Sequence, residues 1–125
     1  MKDKIELTFP KKASYLSVLR MTASVISSQL DYNIDEIEDI KVMVSEAGVL
    51  FINNVPHDEE PLRVCFELTD TGISISITDR NSGEMVVDEG DMGVMIIDSL
   101  SDTWQLNLSQ KRIILTKKLE KQDNR

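Results

Sequence analysis

Ile37-Glu38-Asp39-Ile40-Lys41-Val42-Met43-Val44-Ser45-Glu46-Ala47, continuing as Gly48-Val49-Leu50-Phe51-Ile52-Asn53-Asn54, sets the layout of the whole chain. Ile37, Ile40, Val44, Ala47 and Phe51 recur at helical spacing and form one apolar stripe. Glu46 lies roughly 130° around the axis from the centre of that stripe, taking about 100° per residue. Just upstream, Asn33 followed by Glu36 reads as an N-cap with a capping box, and Asp35 puts negative charge in the first turn, where the helix dipole favours it. A helix from about Ile34 to Asn54 follows, ended by Pro56 and the acidic loop Asp58-Glu59-Glu60.

On the amino-terminal side, Ile5, Leu7 and Phe9 alternate with polar residues as in a half-buried strand, which Pro10 ends. Tyr15, Leu16, Leu19, Ala23, Ile26 and Leu30 then predict an amphipathic helix from about Lys11 to Leu30. On the other side, Leu62, Val64, Phe66 and Leu68 face Ile73, Ile75 and Ile77 across Asp70-Thr71-Gly72, the pattern of a hairpin. A third helix, about Met92 to Leu100, precedes a second hairpin, with Trp104, Leu106 and Leu108 on one strand and Ile113, Leu115 and Leu119 on the other. Each strand has a single apolar face, so only one side of the sheet is covered. The fold class is an α/β (α+β) two-layer sandwich, with a mixed, mostly antiparallel sheet covered on one face by three helices. The residues from Glu120 to Arg125 read as a polar tail.

With 125 residues, 41% hydrophobic and 29% charged, the chain suits one domain, 1–125. A net charge of −8 argues against a nucleic acid partner and for a basic protein surface. No run is long and apolar enough for a membrane span or a signal peptide, which leads to the expectation of a cytoplasmic protein with no membrane partner. One cysteine, Cys65, and one histidine, His57, leave no metal cluster to build. Cys65 falls on the polar side of its strand with nothing nearby to lower its pKa, and His57 reads as a solvated loop residue. Met85, Met92 and Met95 read as core filler, and Trp104 as a core anchor.

Four local matches support a resemblance spanning Ile5 to Leu119. Glu46-Ala47, ending the helix above, is similar to a kinase helix motif. Asp79-Arg80-Asn81-Ser82-Gly83 resembles an Asp-x-Gly-x-Gly box, Gly90-Asp91-Met92-Gly93 resembles a second glycine box opening a helix, and Arg112 to Leu119 is similar to a last strand carrying a Thr. Together they resemble the anti-sigma-factor serine kinases of the histidine-kinase-like ATPase (Bergerat) fold. The resemblance implies Glu46 as catalytic base, Asp79 as acceptor of the adenine amino group, and Asn54, Gly83, Gly93 and Thr116 around the nucleotide. It implies ATP and Mg2+ as cofactors, a sigma factor and/or an anti-sigma-factor antagonist as partner, and a homodimer that could use the polar sheet face.

Several residues depart from the family pattern. Leu50 stands where the family has a magnesium-binding Asn, and a hard cation wants oxygen. Asn53 is nearly in line with Glu46 but about 10 Å further along the axis. Asn81 and Asp91 replace glycines, and Glu84, Asp88, Glu89 and Asp91 make the segment acidic with no lysine among them. Each matched position also has a plain alternative: Glu46 a solvated helix residue, Asn54 a helix C-cap, the Asp79 box a surface turn, Gly93 a loop-to-helix glycine and Thr116 a strand residue. Two expectations stand. One is a partner-switching regulator with weakened or lost ATP binding and hence no bound cofactor. The other is an active ATP-dependent serine/threonine kinase acting on an antagonist protein. The same fold serving an unrelated role is a third possibility.

Overall fold

A computed structural model describes residues 2–120. The polar tail expected from Glu120 onward lies, beyond Glu120, outside the described residues. In chain order the elements are β1 (Asp3–Phe9), α1 (Leu16–Ser27), α2 (Ile34–Asn54), β2 (Leu62–Thr69), β3 (Gly72–Asp79), α3 (Met92–Leu100), β4 (Thr103–Asn107) and β5 (Arg112–Lys118). The five strands form one sheet in the order β1-β2-β3-β5-β4. Every pairing is antiparallel, so the sheet is not mixed. The reason is topological: the chain leaves β3 through α3 to the outer edge, lays down β4, and returns as β5 into the gap. β3 and β4 run in the same direction but never touch.

The alternation read from the sequence is met along β2 and β3, whereas Ile5 on edge strand β1 is 39% exposed and Leu108 lies past the end of β4, 46% exposed. In β3, Ile73, Ile75 and Ile77 are buried while Ser74, Ser76 and Thr78 face the open side. The buried set joins Leu19 and Ala23 of α1 and Ile40, Met43, Val44, Ala47 and Phe51 of α2 in one core cluster. The capping box at Asn33 forms as expected: its side chain accepts from Glu36 N at 2.8 Å while Glu36 Oε1 accepts from Asn33 N at 2.9 Å.

Helix α1 is shorter than its periodicity predicts. Its first turn is replaced by a 3-10 turn at Ala13–Tyr15, preceded by Lys11, which is buried. The Lys11 ammonium donates to Val55 O at 2.9 Å and His57 O at 2.6 Å, beyond the carboxyl end of α2, and this anchorage keeps the segment out of the helix. Trp104 is half-buried, with its indole N–H donating to Asp98 Oδ1 at 2.8 Å. Of the three methionines expected in the core only Met85 is there; Met92 and Met95 are 71% and 58% exposed, because short α3 fully buries only Ile97 and turns them outward.

Candidate functional site

Helix α2 delivers Glu46, Val49, Leu50, Asn53 and Asn54 to one wall of a cleft of about 280 Å³, whose other wall is Asp91, Met92, Gly93 and Ile96 at the start of α3. The volume lies just under the range typical of small-molecule pockets, about 300–1,000 Å³. Glu46 is half-buried, and a Cβ on Gly93 would lie 3.1 Å from Glu46 Oε2, so the absence of a side chain there lets the carboxylate rest against the first turn of α3. Asp91 caps that helix, its Oδ1 accepting from Val94 N at 3.0 Å. Leu50 is 2% exposed and belongs to the core. Asn54 is the last residue of α2, and its side-chain amide donates back to Leu50 O at 2.8 Å, the carbonyl one turn earlier in the same helix. Its own carbonyl accepts from Val86 N at 3.2 Å, which holds the acidic segment against the helix end.

Asp79, at the end of β3, is 1% exposed. Its Oδ1 accepts from Asn81 N at 2.9 Å and Asn81 Nδ2 at 2.7 Å. Its Oδ2 lies 2.8 Å from Lys11 Nζ, with the two side chains 0% and 2% exposed. Oδ2 thus has a charge partner but no hydrogen-bond donor among the described residues. Asn81 does not use a left-handed backbone; instead its side chain clasps Glu60, accepting from Glu60 N at 2.7 Å and donating to Glu60 O at 2.8 Å. Gly83 has φ +99, and a Cβ there would meet Pro56 Cγ at 2.5 Å, so the glycine is needed for Pro56 to close against the turn. Lys111, itself at φ 52, donates its ammonium to Asn81 O and to Gly83 O, the latter at 2.9 Å.

Of the residues expected at the site, Glu46, Asn54 and Gly93 line one cleft. Asp79 and Gly83 sit in a turn closed by the protein itself. Thr116 is elsewhere: it pairs with Ser74 and Thr103 on the open side of the sheet, the face opposite the helices, because Ile113 and Leu115 take the inward positions of β5. Lys11 and Lys111 are polar partners that sequence reasoning did not single out, and Asn81, noted there only as a glycine replacement, acts through its side chain. Nothing local distinguishes buried Lys11 from exposed Lys12. Partial burial pushes the Cys65 thiol above its ordinary pKa, against the pull of Lys4 and Arg112, so it stays protonated at neutral pH. His57 is half-exposed, 3.7 Å from Glu59 Oε1. Among the described residues no group of three or more His, Cys, Asp or Glu could hold a metal ion, and no helix is long and apolar enough to cross a membrane.

The profile described as "Histidine kinase-like ATPase domain" matches residues 9–117. Relatives named serine-protein kinase RsbW include those of Staphylococcus epidermidis, 32% identical over 80% of this chain and 76% of the relative, and Oceanobacillus iheyensis, 30% identical over 84% and 79%. That of Halalkalibacterium halodurans is 27% identical over 98% of this chain and 89% of its own length.

Proposed function

Because the chain belongs to the histidine kinase-like ATPase family, in the branch of the RsbW anti-sigma-factor serine kinases, we propose that it is a regulatory protein of that kind. In this reading residues 1–125 act as one unit, switching between a sigma factor and an anti-sigma-factor antagonist with ATP binding weakened or lost. The observation that carries the second half is Leu50. At the position where the resemblance puts a magnesium ligand, an alkyl side chain is packed into the core, 2% exposed, as the floor of the cleft. The charged groups lining that cleft are the carboxylates of Glu46 and Asp91, which repel a triphosphate rather than hold one. Leu50 offers no oxygen where the resemblance places a magnesium ligand, no positively charged side chain among the described residues lines the cleft to meet a phosphate, and Asn54, which also lines it, turns its side-chain N–H to Leu50 O. With an acidic net charge of −8, a basic surface on the partner protein is the natural counterpart.

The relatives' names favour a second reading, an active serine/threonine kinase. Glu46 would then draw the proton from the attacking hydroxyl of the antagonist protein, the job of a positioned general base. Calorimetric titration with ATP, with and without magnesium, separates the two, alongside complex formation with a purified sigma factor and antagonist. The regulator reading expects no heat at millimolar nucleotide, complexes that form without it, and no effect of Glu46→Ala on those complexes. Micromolar, magnesium-dependent binding, with phosphate transfer abolished by Glu46→Ala, overturns it in favour of the kinase.

A further inference from the structure

The geometry points to Lys11 as an internal counter-ion of this site: its ammonium stands in ionic contact with Asp79 Oδ2 and holds the place that an external amino-bearing base would take. Lysine is among the residues least often buried, and it is held here only by a complete set of internal partners. These are Asp79 Oδ2 at 2.8 Å, Val55 O at 2.9 Å and His57 O at 2.6 Å. One cation thereby joins the segment after β1, the end of α2, the following loop and the end of β3. Asp79 is the only carboxylate among these partners. Its other oxygen is consumed by Asn81, which is itself clasped to Glu60. A ligand donating N–H groups to Asp79 must therefore displace an ammonium already in ionic contact, in a place solvent does not reach.

The other end of the site follows the same logic. The amino terminus of α3, whose free N–H groups and dipole suit an anion, already has two carboxylates of this chain against it. Asp91 accepts from Val94 N, and Glu46 Oε2 lies 3.1 Å from where a Cβ of Gly93 would be. The protein supplies its own cation at Asp79 and its own anions at α3. This deepens the reading of weakened nucleotide binding, on which it rests, by naming the side chain that excludes the base.

The test is lysine acetylation followed by peptide mass spectrometry on the full chain. Exposed Lys12 serves as internal standard. Lys11 should react at least about tenfold more slowly than Lys12, because reaction requires local opening. Millimolar ATP or adenosine, with or without magnesium, should leave that rate unchanged. Lys11→Ala should bind adenosine at least about tenfold more tightly than the unaltered protein, the scale of one recovered hydrogen bond to a charged acceptor. A merely structural lysine would not raise affinity in this way. Reaction of Lys11 at the rate of Lys12, acceleration by nucleotide, or unchanged adenosine affinity in folded Lys11→Ala overturns the assignment. If that variant fails to fold, Lys11→Met, which keeps most of the side-chain volume, is read in its place by the same adenosine titration. Calorimetric ATP binding with Lys11 still protected would sink the weakened-binding reading and leave Lys11 at Asp79. Unprotected Lys11 without ATP binding would do the reverse.

Discussion

Single side chains carry much of the specificity of this fold, and two of them can be tested directly. Lys11 and Asp79 form an ion pair with side chains 2% and 0% exposed. Breaking such a pair leaves one buried charge uncompensated, at a cost of about 3–5 kcal/mol, whereas replacing both partners by apolar groups is often neutral. Lys11→Met should therefore lower stability by that amount in urea denaturation, and adding Asp79→Leu should recover part of the loss, the remainder being the Asn81 donors left without their acceptor. Equal losses in the single and double variants would show that the pair is not the source. The Tyr32 hydroxyl accepts from Ile73 N at 3.0 Å and donates to Lys117 O, and burial pushes its pKa up to about 12 from 10.0. The unfolded chain then releases this proton first. The contribution is complete below about pH 10 and is lost as pH rises towards 12. Tyr32→Phe should cost about 1–3 kcal/mol at neutral pH by stranding two backbone groups, and should flatten the stability decline between pH 10 and 12. An unchanged slope would count against this linkage. None of these partnerships was legible in the sequence, because each joins residues distant along the chain that no spacing rule connects.

Elements, by contrast, were read well wherever the signal was local. The capping box of α2 was visible as Asn33 and Glu36 because its geometry spans three residues. Asn33→Ala should cost about 1 kcal/mol and reduce thermal stability, since the Glu36 N–H loses its acceptor at the exposed helix start. An effect within experimental error would mean that tertiary packing alone holds this end of the helix. Helix α1 was overextended because apolar periodicity continues through Tyr15, while the pull of Val55 and His57 on Lys11 is tertiary. Helix α3 shows the same limit. Its methionines repeat at helical spacing, yet whether that face meets a core depends on what packs against it, and Met92, at the edge of the cleft, and Met95 stay exposed. The end of α3 is secured by another distant group, Lys117, whose ammonium donates to Leu100 O at 2.8 Å.

Across the whole molecule, the sheet order makes β3 the central strand, paired along its length with β2 and β5, while β1 and β4 are edges. Native-state hydrogen exchange should find the slowest amides in β3 and the buried stretch of α2, and the fastest at β4 and in the acidic segment from Glu84 to Asp91. Slower exchange at β4 than at β3 would contradict this arrangement. The sequence by itself determined the elements, their order, the face that α2, β2 and β3 bury and the family to which the chain belongs, because periodicity, caps and turn residues act over a few neighbouring positions. It also put at position 50 a leucine, which offers no oxygen. The tertiary structure alone decided that every strand pair is antiparallel, that Thr116 lies on the face away from Glu46, and that Asp79 is closed off by Lys11. Those outcomes depend on which strand fills a gap and which charges are desolvated together. Both are set by the packed whole, where a buried charge must find its partner at whatever distance along the chain that partner lies.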